Sequence, residues 1–178
     1  MHLVKVVRVV PSRWVLLVLT AVLVNNCGGS PRAATGWSPE PGTTAAASAV
    51  DPRDLGRIEV RASGFRNQKG KALVALFSSS KGFPSDRRKA YRAAEAVIED
   101  KTIALEFSDL PPGTYAVAIH HDENGNYKMD TNFYGRPKEG YGVSNNATRR
   151  LGPPKFDDAR FELRKKESRR VAIKMKYH

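Results

Sequence analysis

The sequence has a single cysteine, Cys27, among its 178 residues. One cysteine cannot form a disulfide within the chain, so a hydrophobic core must hold the fold together. The chain also lacks an apolar run of the length that crosses a bilayer, about 20 residues. Its longest apolar run covers residues 14–24. These two absences exclude a disulfide-stapled scaffold and favour a signal sequence over a membrane-spanning helix.

The N-terminal region has the features of an export signal in their usual order. Lys5, Arg8 and Arg13 precede the apolar run, and Cys27 with a Gly-Gly-Ser stretch follows it. This order predicts a signal peptide over residues 1–27. Two processing routes are open: lipidation of Cys27 as in bacterial lipoproteins, or ordinary cleavage near Cys27 or in the Ala-rich stretch beyond. Both predict an exported protein that is periplasmic, attached to the cell envelope or secreted.

Residues 28–53 consist mainly of Gly, Ser, Pro, Thr and Ala, with hardly any large apolar side chain. Such a composition cannot bury enough surface to offset the entropy lost when the chain is ordered. We therefore expect a disordered linker in this region. The remaining residues, 54–178, have the length of one domain.

Acidic residues are scarce, with 18 against 30 basic ones and a net charge of +12. Removal of Lys5, Arg8 and Arg13 with the signal leaves 27 basic and 18 acidic residues, a net charge near +9. This charge favours acidic partners such as anionic lipid headgroups or acidic envelope polymers. The alternative is that the charges only solvate the surface. The export signal argues against nucleic acid as a partner, and membrane contact is expected only through the N-terminal signal or a lipid anchor.

Short alternating segments predict an all-β fold. Ile58, Val60 and Ala62 alternate with charged residues, and the pattern returns at residues 103–107, 115–120 and 169–177. Residues 71–78 form a more continuous apolar run. A short helix capped by Ser85 is expected over residues 85–94. We predict an antiparallel β-sandwich of about seven strands with one long ordered loop.

The long loop, residues 122–158, begins with regularly spaced oxygen donors. Asp122, Asn124, Asn126 and Asp130 have a spacing that suits a hard cation, and calcium is the only cofactor that the sequence suggests. A main-chain carbonyl at Lys128 would complete part of the ligand shell. The alternative is a turn in which the Asp and Asn side chains bond to their own backbone.

The same loop predicts a polar groove lined by aromatic side chains. Such a groove binds a carbohydrate, a peptide or another protein, although the same side chains could also pin the loop to the sheet. The adjacent residues His120 and His121 must face opposite sides of a strand. One of them is expected in the core beside a carbonyl, and the other, next to Asp122, is expected to be a partly exposed acid-base residue. The predicted ligand-binding residues are His121, Tyr134, Arg136, Lys138, Glu139, Tyr141 and Asn145.

Residues 121–126, 129–147 and 152–159 resemble the bacterial family called domain of unknown function 2141. The Leu-Pro-Pro-Gly-Thr-Tyr turn at residues 110–115 resembles the same family and also transthyretin-like sandwiches. The resemblance implies an exported β-sandwich and no particular reaction. Tyr127 departs from the family, which has glycine there, and a calcium loop normally needs that glycine for its sharp turn.

Three functions of different classes are consistent with the sequence. The first is a non-catalytic envelope module that binds a partner through the long loop. The second is a structural domain whose loop is stabilised by calcium or by its own hydrogen bonds. The third is a hydrolase-type enzyme that uses His121, Asp122 and Glu139. The third ranks last because no nucleophile with a paired base is evident and Ser144 lies outside any G-x-S-x-G elbow.

Overall fold

The computed structural model describes residues 7–9, 51–150 and 152–178. Most of the predicted signal peptide, including Cys27, and nearly all of the predicted linker lie outside the described residues. No helix in the described part of the chain is long and apolar enough to cross a membrane. Lipidation and export therefore stay predictions.

The described residues form two β-sheets, as the sequence predicts. The first sheet has the strand order β1-β5-β2-β9, and the second has the order β4-β3-β6-β7, with β8 paired to the start of β6. The strands are β1 (Val7–Val9), β2 (Gly56–Ser63), β3 (Lys71–Phe77), β4 (Arg92–Ala96), β5 (Thr102–Leu110), β6 (Gly113–Asp122), β7 (Gly140–Val143), β8 (Phe161–Leu163) and β9 (Ser168–Lys174).

Most strand pairs are antiparallel, but two pairs in the first sheet are parallel. β9 runs parallel to β2, with Val60 opposite Val171, and β1 runs parallel to β5. A parallel pair needs a long crossover connection. The connection from β2 to β9 contains every strand of the second sheet. The all-β sandwich is confirmed, whereas an antiparallel pattern throughout is wrong for these two pairs.

The main core lies between the sheets and is built from the alternating side chains. Ile58 and Val60 of β2 are fully buried, and so are Leu105 of β5 and Val117 of β6. Val171 and Ile173 of β9 are buried in the same cluster. These are the positions that the period-two pattern assigned to the interior, because successive side chains of a strand point to opposite faces.

The predicted helix over residues 85–94 is wrong. The chain forms only a 3-10 helix over Arg87–Lys89, capped by Asp86 rather than Ser85, and β4 begins at Arg92. The Ala-rich stretch pairs with β3, with Ala93 opposite Ala75. Sheet pairing and burial override the helical preference of these alanines.

The outer face of the second sheet has a smaller core of its own. A short α-helix, α1 (Phe156–Ala159), covers this face, where Phe156 and Phe83 pack edge to face at 5.8 Å. Phe83 contacts Phe77 of β3 in the same way at 5.3 Å. The expectation of one long loop without a strand over residues 122–158 is therefore wrong, since β7 lies within this range and α1 begins in it at Phe156.

β7 was missed because two of its four residues are glycines, which are uncommon in strands. The glycines are required by close approach of the C-terminal segment. A Cβ on Gly140 would lie 2.3 Å from the ring of Tyr177, and one on Gly142 would lie 2.7 Å from Ile173. Glycine in a strand often marks such a contact.

Candidate functional site

The candidate site is the loop of residues 123–139, which joins β6 to β7 and is called the β6–β7 loop here. It has two parts. The first, the Asp122 turn (residues 122–130), begins at the last residue of β6 and holds all four predicted calcium ligands. The second, the tip hairpin (residues 130–138), holds Tyr134, Arg136 and Lys138 of the predicted ligand-binding set.

The Asp122 carboxylate organises the first part. Asp122 is fully buried at the end of β6. Its Oδ1 accepts hydrogen bonds from the backbone N–H groups of Gly125 and Asn126, at 2.8 and 3.1 Å. Its Oδ2 accepts one from the N–H of Tyr127 at 3.0 Å. A buried carboxylate needs such partners, and here the backbone of the turn provides them.

The other three predicted calcium ligands bond to one another. Asn124 and Asn126 donate their side-chain amides to the two oxygens of Asp130, at 2.7 and 3.1 Å. The side-chain oxygen of Asn126 accepts from the N–H of Lys128 at 2.7 Å. No cluster of three His, Cys, Asp or Glu side chains that could hold a metal ion occurs in the described ranges. The geometry is that of a self-bonded turn, and calcium binding stays a prediction.

Tyr127 adopts the left-handed backbone conformation, with φ of 61°. The position therefore has the conformation for which glycine is usual, although a side chain is present. Lys71 donates to the Tyr127 hydroxyl at 2.6 Å and also lies 4.5 Å from the ring centre. These contacts with β3 give the side chain a structural role at this position.

Glu139 ties the two ends of the Asp122 turn together. It is buried just before β7, and its Oε1 accepts from the N–H of Glu123 at 3.0 Å. Its Oε2 accepts from the N–H of Asp130 at 3.1 Å and lies 2.8 Å from Nε2 of His120. Glu139 thus clamps the backbone of the loop, and its ligand-binding role stays a prediction.

His121 is the histidine of the core, so the expectation that the histidine next to Asp122 is partly exposed is wrong. It is fully buried against Phe65, with its Nε2 2.9 Å from the carbonyl oxygen of Lys69. Its Nδ1 lies 2.8 Å from the hydroxyl of Tyr177. With both ring nitrogens engaged inside the protein, His121 has no position free for a ligand.

Arg66 and Tyr177 complete this region and were not singled out by the sequence. Arg66 lies 2.6 Å from the carboxylate of Glu123 and stacks over the ring of Tyr177 at 5.0 Å. Desolvation acts to raise the pKa of Glu123, but hydrogen bonds from Asn67 and Arg66 outweigh it and leave that pKa below its usual value. These residues come from opposite ends of the domain, so no local motif could have indicated them.

The tip hairpin is closed by Asn132. The N–H of Asn132 bonds to the carbonyl of Arg136 at 2.8 Å, and the N–H of Gly135 bonds to the carbonyl of Asn132 at 2.9 Å. The side-chain oxygen of Asn132 accepts from the N–H groups of Tyr134 and Arg136, at 3.0 and 2.9 Å. Asn commonly stabilises a turn through its own side chain in this way.

Phe133 and Tyr134 form the tip of this hairpin, and we call these two residues the tip. Phe133 is 98% exposed and Tyr134 is 84% exposed, with the rings edge to face at 5.6 Å. The alternative that the side chains of the predicted groove pin the loop to the sheet is therefore wrong for Tyr134. The Asn and Gly that flank the two aromatics are turn residues, which was the available signal for a tip.

The charges of the β6–β7 loop are sorted by sign. Its exposed charged residues are all basic, namely Lys128, Arg136 and Lys138. Its acidic residues are buried or half-buried, and each bonds to a donor within the protein. The surface around the tip is therefore positive although the loop contains as many acids as bases.

A family model described as "Uncharacterized protein conserved in bacteria (DUF2141)" matches residues 60–171, which is more than half of the chain. The chain belongs to this family. The DUF2141 match includes the complete β6–β7 loop and most of both sheets. No curated protein and no solved structure matches the sequence.

The remaining predicted ligand residues of this DUF2141 protein lie apart from the tip hairpin. Tyr141 on β7 stacks on His178 at 5.6 Å. Asn145 follows β7 and donates its amide to the carbonyl of Arg160 at 3.0 Å. Ser144 is buried and donates to the carbonyl of Ala159 at 2.6 Å. The predicted groove is therefore divided, and only three of its residues share one exposed element.

Proposed function

We propose that this protein is a non-catalytic binding module that contacts its partner through the tip of the β6–β7 loop. The observation that carries the proposal is the near-complete exposure of Phe133 and Tyr134 side by side. Single exposed apolar side chains are common, but two adjacent aromatic rings on a projecting turn add contact area and no stability to the free protein.

The hydrogen bonding around the tip supports this proposal. Asn132 holds the turn, and Glu139 fixes the base of the loop to the end of β6. A contact element that is already ordered loses little conformational entropy when it binds. A mobile loop would have to be ordered at that cost.

The charge around the tip supports an acidic partner. Lys128, Arg136 and Lys138 are exposed, while Glu139 and Asp122 are buried. Complementary charge speeds encounter and disfavours partners of the same sign. An acidic envelope polymer, an acidic protein surface and anionic lipid headgroups all satisfy this requirement.

The two alternative functions gain less support. The hydrolase hypothesis needs His121 and Glu139 to act together, but His121 bonds to Tyr177 and Lys69, and Glu139 bonds to His120. The structural hypothesis accounts for the Asp122 turn. It gives no reason for two exposed aromatic rings at the tip.

Export to the cell envelope forms part of the proposal and rests on the order of residues 1–27. Residues 1–52 fused to a reporter that folds only outside the cytoplasm should be active and processed. A cytoplasmic, unprocessed fusion would reject export. Replacing Cys27 with Ser tests lipidation separately: partition into membranes that does not depend on Cys27 would reject a lipid anchor there.

Hydroxyl-radical footprinting of the purified full chain tests the binding role while the partner is still unidentified. We expect oxidation of Phe133 and Tyr134 to fall when a bacterial envelope preparation is added. Tyr91 and Val97 are also exposed, at 45% and 75%, and serve as internal controls whose oxidation should not change. Equal oxidation of the tip with and without envelope would contradict the proposal.

A further inference from the structure

We infer that the partner of the tip is the surface of an anionic lipid bilayer, with the rings of Phe133 and Tyr134 placed among the headgroups. This inference rests on the proposed function and names its partner. It adds a membrane contact in the folded domain to the N-terminal signal or lipid anchor suggested by the sequence.

The shape of the site favours a surface over a small ligand. The two rings project from a four-residue turn, and a Cβ at Gly135 would have nothing within 4 Å. Two shallow concavities in the described part of the chain are lined mainly by residues of the first sheet and of the turns at its ends, such as Arg61 and Glu167, and neither includes a residue of the β6–β7 loop. A convex tip suits a deformable layer of headgroups, whereas a small ligand needs a concave site.

The hydrogen bonding of the tip removes the main obstacle to entering a bilayer surface. Backbone N–H groups without partners are costly where water is scarce. The N–H groups of Tyr134, Gly135 and Arg136 all bond to oxygens of Asn132. A carbohydrate or polar peptide would need free donors and acceptors, and at these three N–H groups the tip offers none.

The aromatic side chains of the tip suit the interface between headgroups and acyl chains, and the basic side chains beside it suit the anionic headgroups. Aromatic residues concentrate at membrane interfaces, where the ring lies among apolar groups and the tyrosine hydroxyl reaches water. Arg136 and Lys138 follow the rings in the tip hairpin and are exposed. Each basic residue near an anionic surface strengthens binding roughly five-fold.

Binding to an anionic surface also requires that the acidic side chains of the loop point inward. Carboxylates at the approaching surface would be repelled by anionic headgroups. In this loop Glu139 accepts two backbone N–H groups, Asp130 accepts two Asn amides, and Glu123 pairs with Arg66. The bases thus approach the bilayer without the acids that balance them in the sequence.

The test applies residue-resolved footprinting to the full chain mixed with vesicles of phosphatidylglycerol and phosphatidylcholine in equal parts. We expect protection of Phe133 and Tyr134, little protection by pure phosphatidylcholine, and loss of protection at high salt. Because the readout is specific to each residue, lipid binding by the N-terminal apolar run alone would leave Phe133 and Tyr134 as oxidised as they are without vesicles.

Two pairs of variants sharpen the test. Arg136→Gln with Lys138→Gln should raise the lipid concentration that gives half-maximal tip protection roughly 25-fold. The exposed control pair Arg149→Gln with Arg150→Gln should change this concentration little. Phe133→Ser with Tyr134→Ser should reduce co-sedimentation with anionic vesicles, and Val97→Ser should not. Unchanged melting temperatures would confirm that all four variants are folded.

The outcomes separate the lipid partner from the proposed function. Protection by the envelope preparation but not by anionic vesicles would overturn the lipid inference and leave a protein or polymer as the partner. Protection by neither would overturn both. Equal protection by anionic and neutral vesicles would contradict the role given to Arg136 and Lys138.

Discussion

In the Asp122 turn, the carboxylate and amide side chains bond to groups of the same loop, whereas at the tip two aromatic rings contact mainly each other. The turn buries Asp122 completely, and the hairpin leaves Phe133 98% exposed, about ten residues further along the chain. Polar side chains therefore lie inside the loop, and apolar side chains lie at its outermost point. The difference indicates that the first part provides stability and the second part provides contact.

The largest expected effect tests the base of the Asp122 turn. Gly70 has φ of +64°, and a Cβ there would lie 1.9 Å from the carbonyl oxygen of Asp122. Gly70→Ala should lower the free energy of unfolding by about 2–5 kcal/mol, from left-handed strain together with overpacking. Urea denaturation measures it.

Gly125→Ala is the matched control for this substitution. Gly125 also has positive φ, at +75°, but has nothing within 4 Å of the added methyl group. Gly125→Ala should lower the free energy of unfolding by only about 1 kcal/mol, because it adds left-handed strain without overpacking. Equal losses for the two variants would mean that close approach to Asp122 is unimportant.

Removal of the Asp122 carboxylate should have the next largest effect. Asp122→Ala leaves the backbone N–H groups of Gly125, Asn126 and Tyr127 without their acceptor. Because the turn is partly exposed, water replaces some of the lost hydrogen bonds. We expect a loss of about 2 kcal/mol, measured by urea denaturation. A loss below about 0.5 kcal/mol, as for an ordinary surface site, would contradict a stabilising role for the turn.

A smaller effect is expected from acid. The pKa of Glu123 is lowered in the folded protein, so its contribution to stability is present above the unfolded value, near 4.5, and is lost as the pH falls through the folded value. Wild-type protein should therefore lose more stability than Glu123→Gln between neutral pH and about pH 3. Parallel stability curves for the two proteins would show that the ion pair with Arg66 contributes nothing.

Calcium should have almost no effect if the turn is self-bonded. A site that bound calcium only in the folded state would gain about 2.7 kcal/mol at 100 times the dissociation constant. We expect no calcium-dependent change in melting temperature, in the wild type or in Asp122→Asn with Asp130→Asn. A rise that disappears in the double variant would establish a calcium site in place of the self-bonded turn.

The sandwich was predictable because its strands alternate. Ile58 and Val60, like Val171 and Ile173, carry the pattern of a half-buried strand regardless of their partners. β7 was not predictable, because Gly140 and Gly142 are explained only by the approach of Tyr177 and Ile173 from a distant part of the chain. Tertiary contacts of this kind leave no local signal.

The site was predictable in position and only partly in its chemistry. The spacing of Asp122, Asn124 and Asn126 indicated an organised loop, but the same spacing suits a cation and a self-bonded turn. Which atoms face inward depends on the fold around them, as with Glu139, which turns to the backbone of the loop. The exposure of Phe133 follows from the turn at Asn132, because an aromatic pair inside such a turn cannot reach the sheet.

Urea denaturation of Phe133→Ser with Tyr134→Ser is the most direct test of the division between a stabilising turn and a contact tip. Because both rings are exposed, the free energy of unfolding should change by less than about 0.5 kcal/mol. A loss of about 2 kcal/mol or more, the size expected when buried aromatic side chains are truncated, would show that the tip packs against the protein and would contradict its role as a contact element.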